Sequence, residues 1–166
     1  MASSKIQAGQ ANSNNFLLQI VQPGLSGLMD GSVSTLAPIF ATAFATHNSH
    51  TVFLIGLASA VGAGISMAFS EGLSDDGALT GRGNPVVRGA VTGGMTFIGG
   101  FLHTLPFLIA NVQSALTLAY IVVGFELLAI SYIRYRFFAT NFLISAVEVV
   151  LGGALVFTAG VLIGSS

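Results

Sequence analysis

Gly27-Leu28-Met29-Asp30-Gly31-Ser32-Val33-Ser34-Thr35 lies within an apolar segment, Gly24 to Ala45, and puts a carboxylate where a bilayer-spanning helix ordinarily carries leucine or valine. An aspartate at the centre of a membrane helix costs about 2.5–3.5 kcal/mol on insertion scales, so embedded acids usually face a protein interior or a water-filled path. Ser26, Ser32, Ser34 and Thr35 keep Asp30 company and make the helix too polar to meet lipid on every side. It reads as an inner helix lining a substrate or ion route.

The rest of the chain has the same apolar character. Of 166 residues, 53% are hydrophobic and only 7% charged, with a mean hydropathy of +0.85, whereas a soluble domain carries about 25% charged residues. The expected fold class is therefore an all-α integral membrane protein of one domain. A span takes about 20 residues, so five fill the length and leave no room for a soluble catalytic domain. A net charge of −1 argues against a nucleic-acid partner. The absence of cysteine removes disulfides and thiolate metal sites. Phe16 to Val21 is too short, and too broken by Gln19, Gln22 and Pro23, to serve as a signal peptide.

Residues 1–15, rich in Ser, Asn and Gln, are expected to form a disordered tail, and residues 16–166 the five-helix transmembrane domain. Phe16, Leu17, Ile20 and Val21 recur at helical spacing, which suits either a short helix in the membrane interface or an irregular lead-in before Pro23 starts the first span. The expected spans are Gly24–Ala45, Thr51–Leu73, Val87–Ala110, Ala115–Ile133 and Phe142–Ile163. The longest connection, Ser74 to Val86, has a turn-forming composition. With five spans, Lys5, Arg82, Arg88, Arg134 and Arg136 all fall on one side, so the N-terminus is expected in the cytoplasm and the C-terminus outside. Gly56, Ala60, Gly64, Ala68 and Gly72 recur every four residues, and Gly27/Gly31, Gly89/Gly93 and Gly160/Gly164 repeat the spacing that lets membrane helices approach closely. Pro38 and Pro106 lie inside spans, where each removes a backbone donor and kinks or opens the helix.

On this topology Asp30, Glu71, Glu126 and Glu148 crowd the cytoplasmic half of the spans. Met67 precedes Glu71 by one helical turn, so a thioether and a carboxylate share a helix face. Carboxylate oxygen with thioether sulfur suits a first-row divalent ion better than Mg²⁺, which prefers oxygen, or Cu(I), which prefers sulfur. Asp30, Met67 and Glu71 are the candidate metal residues; Glu126, Glu148, Asp75, Asp76 and His103 are candidates for the metal or proton path. Each of the latter also has a plainer reading. Glu126 and Glu148 would pair with Arg134 or Arg136, Asp75 and Asp76 would form a solvated turn, and His103 would hydrogen-bond a neighbouring helix. His47 and His50 read as an exposed outer loop. No triad and no phosphate loop is present, and the chain is not expected to be an enzyme.

Three stretches, Asp30-Gly31-Ser32-Val33-Ser34-Thr35, Gly64 to Glu71, and Gly99-Gly100 followed by Leu105-Pro106-Phe107, resemble the vacuolar iron transporter family in order and position. Ser74-Asp75-Asp76-Gly77, Thr80-Gly81-Arg82-Gly83 and His103-Thr104-Leu105-Pro106 are most similar to its bacterial branch, the transporter domain of membrane-bound ferritins. The resemblance implies a five-span homodimer in a bacterial inner membrane that exports Fe²⁺ or Mn²⁺ from the cytosol in exchange for protons. The path would run between the first helices of the two copies, with Asp30, Met67 and Glu71 along it. The metal is cargo, and no permanently bound cofactor is implied. Vacuolar members carry a glutamate-rich cytosolic domain where this chain has only Ser74–Val86, and membrane-bound ferritins carry an N-terminal ferritin-like domain with no counterpart here. A ferritin-like or other cytosolic domain that delivers metal is therefore an expected partner, beside a second copy and the lipid bilayer. A channel or transporter for another cation, and a non-transporting membrane scaffold, are the alternatives.

Overall fold

The computed structural model describes residues 14–166; residues 1–13 of the expected tail lie outside that range, and Asn14 and Asn15 are already helical. Every regular element among the described residues is a helix. The first helical stretch ends in α1 (Gln22–Ser34) and α2 (Leu36–Thr46). It is followed by α3 (Ser49–Gly72), α4 (Pro85–Leu102), a 3₁₀ turn (Leu105–Leu108), α5 (Val112–Phe138) and α6 (Phe142–Gly164). Short connections make consecutive long helices run in opposite directions. Four helical stretches are long and apolar enough to cross a membrane: Asn14–Thr46, Ser49–Gly72, Val112–Phe138 and Phe142–Gly164. The remaining long helix, α4, is more polar and is enclosed by protein: Arg88, Gly89, Thr92, Gly93, Thr96, Gly99 and Gly100 are all buried.

Both interior prolines break their helices. Pro38 has no N–H to give the carbonyl of Ser34, and Pro106 none for Leu102; α1 and α4 end at those two residues. The helix of the third expected span is therefore shorter than expected, stopping at Leu102 and not at Ala110. The lead-in also departs from expectation. Leu17–Val21 is a π-helical turn continuous with α1, in which Gln22 N–H bonds the carbonyl of Leu17, so the widened turn carries the helix through Pro23 without a break. Continuing α5 to Phe138 places Glu126 near the helix centre, deeper than a span ending at Ile133 suggests.

Each later helix begins at an asparagine whose side chain takes up free backbone donors. Asn48 accepts from Thr51 N, Asn84 from Val86 and Val87 N, Asn111 from Ser114 N, and Asn141 from Leu143 and Ile144 N. The small residues then set which helices touch. A methyl group at Gly27 would strike the backbone of Thr92, and one at Gly31 that of Thr96, so α1 lies directly on α4. On its other side α4 meets α3, Gly93 against Gly64 and Ala68, and Gly89 against Ala68 and Gly72. Gly160 and Gly164 bring α6 onto Ala37 and Ala41 of α2. The small-residue repeats thus pack helices within one chain.

Two apolar clusters result. Leu36, Ile39, Phe40, Ala43, Val52, Phe107 and Leu116 form one, and Phe40 stacks on Tyr120 at 5.3 Å beside it. Leu25, Leu28, Leu127, Ile130 and Val149 form the other. The second lies toward the end where Gln19 rests against Gly83 and where Ile20 and Val21 share a cleft with Ile133 and Phe137. Arg82, Arg88, Arg134 and Arg136 belong to this end; His47 sits at the opposite one, beside Asn111 and Gln113.

Candidate functional site

Three polar groupings interrupt the apolar bundle. The first is a clasp across the α3–α4 connection. Arg88, one turn into α4, is fully buried at 0% exposure, and its guanidinium is satisfied on every nitrogen. Nε donates to Glu71 Oε1 at 2.8 Å, Nη1 to the carbonyl of Gly83 at 3.0 Å, and Nη2 to the carbonyl of Asp75 at 3.1 Å, with the Asp75 carboxylate 3.2 Å away. Arg82 closes the clasp from the loop, 2.7 Å from Glu71 and 3.2 Å from Asp75. Positive φ at Gly77, Gly81 and Gly83 lets the connection fold back tightly enough for these contacts. Asp75 also accepts from Gly77 N and Thr80 Oγ1. Burial pulls its carboxyl upward, but those hydrogen bonds and the charges of Arg88 and Arg82 outweigh it and hold it below the ordinary carboxylate value. Asp76 caps its own turn through Ala78 N and remains exposed.

The second grouping is buried where the helix breaks meet. Thr35, in the joint between α1 and α2, donates its hydroxyl to the carbonyl of Gly31 at 2.8 Å. His103, at the end of α4, lies 2.8 Å from the same hydroxyl through Nε2 and 3.0 Å from Glu126 Oε2 through Nδ1. Thr35, His103 and Glu126 are 2%, 0% and 5% exposed, and the second oxygen of Glu126 is buried without a partner among the described residues. His103 does hydrogen-bond neighbouring helices, as its position predicts. Glu126 pairs with His103 and not with Arg134 or Arg136. Glu148, by contrast, is bonded by Arg134 at 2.8 Å near the protein surface, the helix-end pairing expected of it.

The third grouping consists of Asp30 and Met67. Asp30 falls midway along the Asn14–Thr46 helix, about 24 Å from its start. It is partly exposed, and its carboxylate has no hydrogen-bond or ion-pair partner among the described residues. Met67 is partly buried on α3, one turn before Glu71. Among the described residues no three His, Asp or Glu side chains converge to enclose a metal ion. Glu71 is held at the arginine-rich end, with both arginines on one oxygen, Oε1. The sequence reading missed Arg82 and Arg88 as site residues by counting them only toward orientation. The signal was an arginine one turn inside a span, immediately after the Asn84-Pro85 helix start.

Comparison with known protein families gives one match: the model of the VIT family covers residues 21–78 and 71–165. No curated protein and no solved structure matches the chain.

Proposed function

Since this chain belongs to the VIT family, a family of membrane transporters, we propose that it exports divalent iron or manganese from the cytosol, exchanging the metal for protons. It would work as a five-pass homodimer in a bacterial inner membrane, with the N-terminus in the cytoplasm. One observation carries this reading: a carboxylate without a partner among the described residues, Asp30, midway along the first helix and only partly covered by them. Lipid does not tolerate such a group, so a second copy laid against α1, with water and cargo between the two, supplies the missing cover. Doubling Asp30 and Met67 across that interface also supplies the donors that one chain lacks.

In this scheme metal enters at the arginine-rich end. The confinement of the described arginines to one end supports placing that end in the cytoplasm. Metal passes Glu71, where it competes with Arg82 and Arg88, and is then held by Asp30 and Met67. A carboxylate must give up its proton to bind metal, and protonation from the outer side releases the ion, which is the basis of exchange. Substituting Asp30→Ala is expected to leave a folded, dimeric protein that moves no Fe²⁺ or Mn²⁺ in proteoliposomes. Retained flux would remove Asp30 from the path.

A further inference from the structure

Resting on the exchange reading, we propose that the buried His103–Glu126 pair is a one-proton site, and that this proton is one of those the protein returns for the exported metal. Thr35 has a single hydrogen, and it is spent on the carbonyl of Gly31, so its oxygen is left to accept the Nε2–H of His103. With hydrogen on Nε2, the 3.0 Å contact between Nδ1 and Glu126 Oε2 brings two acceptors together unless a second proton lies between them. Whichever atom carries that proton, the pair holds one and is neutral overall. Removing it would leave a buried carboxylate facing a nitrogen lone pair, with the other carboxylate oxygen already unpartnered. Such a state persists only with a positive charge nearby.

The hydrogen-bond chain ends where that charge would arrive. Gly31, the terminal acceptor, is the residue beside Asp30. Thr35 and His103 also stand at the breaks made by Pro38 and Pro106, so the chain ties together the two joints at which the bundle can bend. Metal loading at Asp30 from the cytosol would stabilise the deprotonated pair, and the proton would leave to cytosolic water; departure of the metal to the outside would favour uptake of a proton from that side. Few other ionisable groups compete. On α1 the only one is Asp30, about 7.5 Å along the axis from Thr35, and α2 has none. On α5, Tyr120 and Tyr132 lie about 9 Å to either side of Glu126, and Arg134, bound to Glu148 of α6, about 12 Å away on the Tyr132 side. Tyr135 and Arg136 follow toward the end of α5, His50 and Glu71 lie near the two ends of α3, and Arg88 of α4 is about 22 Å from His103 within its clasp.

The test measures metal and proton flux together in proteoliposomes carrying a pH-sensitive dye, with Mn²⁺ as the probe, for wild type and Glu126→Gln. The glutamine amide can still donate to Nδ1 but binds no exchangeable proton. The expected result is Mn²⁺ flux in both, with one proton fewer returned per ion in the variant. An unchanged ratio would overturn the assignment. So would loss of Mn²⁺ flux in a folded Glu126→Gln protein, which would put Glu126 on the metal's route. Should Glu126→Gln not fold, the double variant His103→Gln with Glu126→Gln, whose amides can bond Thr35 and each other and hold no exchangeable proton, is expected to show the same one-proton loss, and an unchanged ratio there would overturn the proposal equally. Failure of the wild type to move Mn²⁺ would instead overturn the transport reading beneath it.

Discussion

The Arg88 clasp predicts a large stability effect from one side chain and a small one from its neighbour. Arg88→Met keeps most of the apolar stem and removes every donor. It leaves the carbonyls of Gly83 and Asp75 without their guanidinium donor in a partly buried setting and takes one of two cations from Glu71. Removing one partner of a buried ion pair costs about 3–5 kcal/mol. Arg82 stays behind on Glu71, and the carboxylates keep some access to water at 16% and 22% exposure, so the lower end, about 3 kcal/mol, is expected. Arg82→Ala removes contacts from a side chain that is itself 24% exposed, and about 1 kcal/mol or less is expected. Denaturant unfolding in detergent micelles gives both values, and hydrogen exchange over residues 73–84 reports the loop directly. Equal small losses for the two variants, with loop protection unchanged in Arg88→Met, would refute the claim that Arg88 holds the connection closed.

The glycines give a second contrast: Gly31→Ala, whose methyl meets the Thr96 backbone, is expected to destabilise the protein by about 1–3 kcal/mol, while Gly124→Ala, with open space around it, is expected to be neutral or stabilising by up to about 1 kcal/mol in the same unfolding assay. Replacing the cap of α4 in Asn84→Ala should cost about 1 kcal/mol, read the same way, and should raise hydrogen exchange at Val86 and Val87. Acid should open the clasp. Asp75 is held below its ordinary value, so its contribution is complete above the unfolded value of about 4 and is lost as pH falls through the lower folded value. Limited proteolysis within residues 73–84 should therefore accelerate below about pH 4 in wild type, and much less so in Asp75→Asn.

The helical, membrane-crossing character of the chain was legible in the sequence because apolar runs of span length admit few other folds. The small-residue repeats announced close packing, but spacing alone does not say which helix fills the notch, and only the structure shows Gly27 and Gly31 on α4 and Gly160 and Gly164 on α2. The prolines were legible as disruptions; that each ends its helix four residues earlier follows from the carbonyl it leaves without a donor. Site residues divided by range. A partner for Glu148 could be narrowed in advance to Arg134 or Arg136 because a short turn joins their helices, and the structure selects Arg134. The meeting of Thr35, His103 and Glu126 spans three separate passes and depends on two helix breaks, so no local pattern carries it. Arg88 was hidden by its own context, a charge near a helix start that reads as an orientation signal until the loop is seen folded around it.

The central claim is most directly tested by flux of Fe²⁺ and Mn²⁺ against Mg²⁺, Zn²⁺ and Ca²⁺ into proteoliposomes of defined orientation, for wild type and Asp30→Ala, with and without a pH gradient. The account predicts Fe²⁺ or Mn²⁺ movement in wild type alone, faster when the gradient supplies protons for exchange and indifferent to excess Na⁺ or K⁺. A folded wild-type dimer that moves none of these ions, or an Asp30→Ala protein that moves them as well as wild type, would contradict it.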